Sequence, residues 1–346
     1  MIAPKRRRRT VRGMKKIDPK QRCTFLEGDA LVTLSKLESE SVHAVVTDPP
    51  YGLTKSLDVE EMLAAWLAKE TFVSNLNGYG DAEWDNSVPG PELWREAYRL
   101  LVPGGFVLAF AAARTIDLTT LALRLAGFDI RDLIHWVYAP GRPSRDQGRV
   151  ALELGDGDLA TSAIGLRPTL RPGHEPIVVA RKPFDESSAT LLDNVYDFGV
   201  GAIDHHCITG AVDGIASNVW VVHDLNCTPQ LCRCDVKTCG AAGHGTAIYP
   251  KQRVPDRSLK VAKPGKSERP VAADGSTHPT VKPLVLMQKL VEAFTAPGQV
   301  ILDPFLGSGT TMEAALLAGR RSVGCEMNAE FFPLIQQRLE RCLIEK

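Results

Sequence analysis

Two stretches of this 346-residue chain combine residue types that could do chemistry: Asp48-Pro49-Pro50-Tyr51, and Asp303-Pro304-Phe305-Leu306-Gly307-Ser308-Gly309-Thr310-Thr311. The first suits an exocyclic amine of a nucleic-acid base. Such an amine is a poor nucleophile, because its lone pair is delocalised into the ring. Accepting its two protons as hydrogen bonds localises that pair. Asp48 supplies a carboxylate for one proton and Pro49 a main-chain carbonyl for the other. The paired prolines fix φ and so pre-aim the carbonyl. Tyr51 offers a flat face to an extruded base. Attack on a sulfonium methyl then needs mainly in-line proximity. No covalent intermediate is required, and the chain has no Pro-Cys pair to supply the thiolate of ring-carbon methylation. Taken as structure alone, the tetrapeptide is a proline-rich turn at a strand end.

The second stretch reads as a cofactor loop. Gly307 and Gly309 permit a tight turn and close backbone approach. A helix starting near Thr310 aims its free N–H groups at whatever sits there. Asp303 either orients the loop or binds an ammonium group. Glu326, about 20 residues on, ends the next strand, where an acid accepts hydrogen bonds from ribose hydroxyls. The spacing is not G-x-G-x-x-G. An adenosine-containing cofactor with a cationic or zwitterionic tail therefore fits better than one with a pyrophosphate.

Cys227, Cys232, Cys234 and Cys239 form a third cluster, with His205, His206, Cys207, His223 and His244 nearby. Four thiolates, or three with a histidine, can hold Zn²⁺ tetrahedrally and order a segment that has little apolar content. Their spacing matches no standard finger, and reduced free cysteines are the competing reading.

Elements that must position these residues follow from the pattern. Cys23–Glu27, Val42–Thr47, Phe106–Phe110, Ile130–Tyr138, Pro176–Ala180, Val300–Leu302 and Ser322–Cys325 read as strands. Helices are expected over Ala30–Leu37, Val59–Lys69, Pro91–Leu101, 115–126, Val281–Phe294, Thr310–Ala318 and from Ala329. Both motifs thus fall at the C-terminal ends of buried strands, where open α/β sheets bind ligands. Between 185 and 275 the alternation stops. The expected organisation is a basic disordered arm (1–20), a catalytic half (21–184), an inserted target-recognition segment (185–275) and a cofactor-binding half (276–346).

Lys+Arg and Asp+Glu both total 41, so overall charge identifies no polyanionic partner. Its distribution is more telling. Eight Lys or Arg crowd residues 5–16 with no acid among them, and seven lie in 251–269. Such stretches suit phosphate contact or are simply solvated. No run of about 18 apolar residues suggests a membrane span, and the N-terminus lacks a signal-peptide core, so a cytoplasmic location in a bacterial or phage-infected cell is expected.

The Asp-Pro-Pro-Tyr corner preceding the glycine loop resembles the circularly permuted β-group of DNA amino-methyltransferases. His278-Pro279-Thr280-Val281-Lys282-Pro283 resembles that group's further cofactor motif. Phe25–Asp29 is similar to its N-terminal segment, and His174–Pro183 to a segment of phage-type members. The likeness covers about residues 22–183 and 275–340. It implies a doubly wound, seven-stranded Rossmann-like α/β methyltransferase sheet with an irregular, cysteine-rich recognition insert. It implies Asp48, Pro49, Pro50 and Tyr51 at the target amine. Asp29, Thr280, Lys282, Asp303, Phe305, Gly307, Ser308, Gly309, Thr310 and Glu326 would then surround S-adenosylmethionine. Asp at the first catalytic position leans toward N6 of adenine in duplex DNA, with N4 of cytosine as the alternative. A catalytically silent DNA-binding protein on the same scaffold is a second alternative. A homodimer and a partner restriction endonuclease are compatible with the sequence, which assigns neither.

Overall fold

The computed structural model describes residues 16–344 apart from 19, 55–56, 73, 75–82, 139–144, 171–172, 187, 189, 210–215, 217, 222–262, 265–267, 272–274 and 276. Among these residues eight strands form one sheet: β1 (Cys23–Glu27), β2 (Val42–Thr47), β3 (Leu101–Phe110), β4 (Asp129–Val137), β5 (His174–Arg181), β6 (Val219–Val221), β7 (Val300–Asp303) and β8 (Arg321–Glu326). Their order is β1-β8-β7-β2-β3-β5-β4-β6. Only β5 runs antiparallel to its neighbours. The resemblance implies seven strands; the eighth is β6, which extends the edge beside β4 in parallel register, His135 opposite Val219. At three residues it is too short to leave a periodic signature.

Side-chain alternation in the strands explains the layers. Val45, Val107, Ala109, Val178, Ala180 and Leu302 point to one face. There they meet α1 (Ala30–Leu34), α2 (Val59–Ala68), α3 (Pro91–Leu100) and α4 (Ile116–Leu125), with Trp66 and Trp94 buried among them. Ala44, Val46, Phe106, Leu108, Phe110, Ile177, Val179 and Ile301 point to the other, against α9 (Leu284–Phe294) and α10 (Thr310–Leu317). The closing helix α11 (Phe332–Ile344) covers the β1–β8 end, where Phe25 and Phe332 meet edge to face at 5.2 Å. The doubly wound expectation holds.

Several elements differ from expectation in detail. β3 begins at Leu101 rather than at the expected Phe106 and takes in Pro103-Gly104-Gly105, where its register shifts against β2. Gly104 has φ +79°, and a Cβ there would sit 2.1 Å from Asn194 Nδ2. Four short helices lie outside the sequence-based expectation: α5 (Gln147–Glu153), α6 (Gly157–Ser162), α7 (Leu191–Phe198) and α8 (His205–Thr209). α7 opens on a capping box between Thr190 and Asp193. The irregular segment begins docked on the sheet and on α9: Asn194 donates to Pro103 O of β3 at 3.1 Å, and Asp204 N to Ala293 O of α9 at 2.7 Å.

Candidate active site

β2 and β7 are hydrogen-bonded neighbours, with Ala44 opposite Ile301 and Val45 opposite Leu302. The Asp-Pro-Pro-Tyr corner leaves the end of β2, and the glycine loop leaves the end of β7. Thr47 Oγ1 ties the two by donating to Asp303 Oδ1 at 2.7 Å. Residues far apart in sequence thus meet at a switch point of the sheet. A cleft of about 960 Å³ opens there, lined by Asp29, Asp48, Pro49, Pro50, Tyr51, Thr280, Lys282, Asp303, Phe305, Gly307, Ser308, Thr310 and Glu326. Of the expected catalytic and cofactor residues only Gly309 does not line it. Gly309 N-caps α10 at φ +85°, and a Cβ there would sit 3.4 Å from Ile335 Cα and 3.5 Å from Arg338 Cδ of α11.

The Asp48–Tyr51 corner is held from below. Asp85 is 3% exposed, and its Oδ1 accepts from Tyr51 N at 2.6 Å and Gly52 N at 2.9 Å. Thr115 Oγ1 donates to Tyr51 O at 2.7 Å. Above it, Tyr51 Oη donates to Asp48 Oδ1 at 2.7 Å, with Glu175 Oε2 3.3 Å away. Lys282 Nζ donates to Asp48 Oδ2 at 2.5 Å and lies 3.3 Å from Glu175. Burial pushes the Asp48 carboxyl above its usual range; Lys282 opposes this and the charge on Glu175 adds to it. Burial works against the Lys282 ammonium, yet Asp48 and Glu175 outweigh it and its pKa is raised. Burial, Asp48 and Glu175 all raise Tyr51, so the phenol keeps its proton and serves as a donor.

The cofactor side shows a division of labour. Asp303 Oδ1 accepts from Thr47 and from Phe305 N, and burial pushes its carboxyl up to about 6. These bonds to Thr47 and Phe305 fit the first of the two roles open from the sequence, orienting the loop. Ser308 and Thr310 hydroxyls bond each other at 3.3 Å. Glu326 accepts from Gly307 N at 2.8 Å and from Asn328 N at 2.7 Å. Both bonds hold a carboxylate at the cleft wall, where it can accept from a ribose diol. Gly307 has φ +54°, and a Cβ there would come within 3.0 Å of His278 Nε2. His278 is lowered to about 4, chiefly by burial and then by Lys282, Arg338 and Arg269. It is neutral, with Nδ1 accepting from Thr280 N.

Glu175, Asp85, His278 and Trp84 also belong to the site, and no role for them follows from the sequence reading. Glu175 and His278 fall within segments picked out by resemblance. Nothing in their spacing says that Glu175 meets Tyr51 across 124 residues, or that Lys282 reaches Asp48 across 234.

The mostly parallel sheet, with an acidic corner and a glycine loop sharing one cleft, is the arrangement expected of a methyltransferase. The chain belongs to the DNA methylase family designated N6_N4_Mtase, whose model matches residues 42–337. It is 28% identical over 338 residues to Type II methyltransferase M.HindIII of Haemophilus influenzae, covering 90% of this chain and 93% of that one. It is 25% identical over 317 residues to the DNA adenine methyltransferase YhdJ of Escherichia coli, covering 92% and 82%. The cytosine-N4-specific PvuII DNA methyltransferase shares the fold, with a TM-score of 0.51 and 14% identity over 94% of this chain and 91% of that one. The protein is an S-adenosylmethionine-dependent DNA methyltransferase.

The residues present fit that cofactor. Glu326 has its carboxylate fixed by backbone N–H groups, Phe305 lines an apolar wall, and the neutral His278 adds no charge against a sulfonium. Among the described residues no group of His, Cys, Asp and Glu is arranged to hold a metal ion. Cys227, Cys232, Cys234 and Cys239 lie outside the described residues. No helix among the described residues is long and apolar enough to cross a membrane.

Proposed function

We propose that this enzyme methylates the exocyclic N6 amine of adenine in duplex DNA, on a base flipped into the cleft. The observation that carries the reading is the geometry of Asp48, a braced carboxylate opening on the same cleft as the glycine loop. S-adenosylmethionine, when bound, supplies an electrophilic sulfonium methyl. Asp48 accepts one amine proton and the Pro49 carbonyl the other, which localises the nitrogen lone pair toward the methyl. Asp48 is also the acceptor for the proton that the nitrogen sheds after transfer. Its raised pKa suits that task, since a stronger base takes the proton more readily. Asp29 and Glu326 would hold the adenosine part, and the loop from Phe305 to Thr310 together with Thr280 the remainder. Tyr51 braces Asp48 and presents its ring to the flipped base.

Adenine is favoured by Asp rather than Ser at position 48 and by similarity to a relative named as an adenine methyltransferase. N4 of cytosine is the second reading, because the matched family spans both amines. The order of the motifs, catalytic before cofactor, supports membership of the permuted β-group, and the His174–Pro183 segment supports a phage-like member. Target recognition is assigned to the segment 185–275, with zinc on Cys227, Cys232, Cys234 and Cys239; a preparation free of zinc by mass spectrometry and still folded would remove the metal. Single-molecule sequencing of DNA from cells expressing the protein, beside an Asp48→Ala control, tests the function. Modified adenines are expected with the wild type and none with the control. Modified cytosines would establish the second reading, and equal signal from both proteins would take Asp48 out of its role.

A further inference from the structure

The Lys282 ammonium is bonded to the same carboxylate that the proposed function assigns to the target amine. Each carboxylate oxygen of Asp48 already holds one donor, Tyr51 on Oδ1 and Lys282 on Oδ2. A base amine needs one of them. Tyr51 sits three residues away on the same proline-stiffened turn and braces its oxygen. Lys282 reaches Oδ2 on a flexible four-carbon stem, so it is the group able to yield. It is largely shielded from water where it lies at the cleft wall: its side chain is 8% exposed, with the rings of Phe110 and Tyr51 at 4.9 and 5.4 Å. A buried ammonium stripped of its partner is strongly unfavourable. The only other carboxylate it touches among the described residues is Glu175, 3.3 Å away.

We propose that Lys282 is a place-holder for the target amine, and that Glu175 is the positioning residue that receives it when that amine takes Asp48 Oδ2. Glu175 is built for this. It comes from β5, the antiparallel strand, and approaches the corner from the side opposite the glycine loop. The groups that face it are Asp48 and Tyr51 beyond β2, Tyr138 beyond β4, Lys282 ahead of α9, Lys263 over the Tyr138 ring, and its neighbour His174, which packs on His135. Before substrate arrives the lysine keeps Asp48 paired and ionised. Afterwards Glu175 keeps the lysine paired and out of the way. The inference rests on the reading that Asp48 receives the target amine.

Single-turnover methylation of duplex DNA at saturating S-adenosylmethionine, between about pH 5.5 and pH 9, separates this role from simple bracing. The variants are Glu175→Gln, Lys282→Gln and the double variant. Glu175→Gln leaves the lysine seated on Asp48, so the maximal rate is expected to fall about tenfold. Its acid limb moves to lower pH, because a like charge beside Asp48 is gone. Lys282→Gln moves the acid limb to higher pH, because Asp48 loses its cation. The double variant is expected to be faster than Glu175→Gln alone. A Glu175 that only braces tyrosines gives a slower enzyme with an unmoved limb and a double variant slower than either single one, and that result overturns the proposal. Thermal melting and calorimetric cofactor binding report folding of each variant. If Glu175→Gln does not fold, an unmoved limb in Lys282→Gln is decisive against the place-holder. An active Asp48→Ala enzyme would sink the underlying reading; an inactive one with no recovery in the double variant sinks this inference alone.

Discussion

Burial lifts the Asp303 carboxyl to about 6 while the unfolded chain leaves it near its ordinary value of 3.8. Between those two values the native state holds a proton that the unfolded state has lost. Stability therefore falls as pH rises from about 4 to about 6, by about 3 kcal/mol for a shift of roughly two units. Asp303→Asn keeps an acceptor for Thr47 and Phe305 N and has no charge to bury. Urea unfolding as a function of pH is expected to show the two proteins alike near pH 4 and the variant more stable at pH 7; parallel curves would contradict the assignment. Asp85 acts in the opposite way, as an acceptor whose loss strands two donors. Asp85→Ala leaves Tyr51 N and Gly52 N without it and is expected to cost about 1–3 kcal/mol. The corner then loses its shape, so methylation should drop about a hundredfold while calorimetric S-adenosylmethionine binding stays near wild type. The place of Asp48 and Pro49 at the cleft was legible because those residue types are unusual together at a strand end. Asp85 was not, since a single acid in a polar insertion looks like any solvated loop residue until the backbone amides above it are seen.

Elements with strong local signals were readable, and those made by tertiary context were not. Val42–Thr47 and Val300–Asp303 are short, mostly apolar and β-branched, Ser322–Cys325 is made of small residues and one valine, and all three stretches are buried on both faces. α7 and α8 are eight and five residues long, within reach of neither a hydrophobic period nor a propensity sum. What holds α7 is Asn194, fully buried, whose Nδ2 donates to Pro103 O and Val200 O. The Asn194 side chain fills the space left by Gly104, and that glycine also takes a left-handed φ. Asn194→Ala is expected to cost about 1–3 kcal/mol by leaving buried carbonyls unpaired. Gly104→Ala should cost at least as much, since it adds a Cβ against the amide and strains the backbone. Both are measured by chemical denaturation, and both should leave the pH profile of methylation in place because neither touches the cleft. Either variant at wild-type stability would show that α7 is not pinned to the sheet at this point.

At the scale of the molecule, the order of the two motifs hardly matters to the chemistry, because adjacent parallel strands lie about 4.8 Å apart and β2 and β7 are such neighbours. The sheet thus makes a site from opposite ends of the chain. DNA has still to be brought to it by a protein whose formal net charge is zero. Attraction must come from uneven charge, and the densest excess is the stretch from Lys5 to Lys16, with eight cations and no acid. Each phosphate neutralised releases counterions and adds about 0.9 to the slope of log affinity against log salt. A variant starting after residue 16 should bind duplex DNA more weakly at low salt and show a shallower salt dependence, by about 0.9 for each phosphate that the shortened chain leaves unneutralised. Its melting temperature and cofactor affinity should be unchanged, since Cys23 begins the sheet and the cleft lies wholly beyond the deletion. Fluorescence anisotropy across a salt series reads the slope directly. An unchanged slope would assign the basic stretch to solvent and leave residues 251–269 to meet the phosphates, where seven Lys or Arg precede the Thr280–Lys282 wall of the cleft.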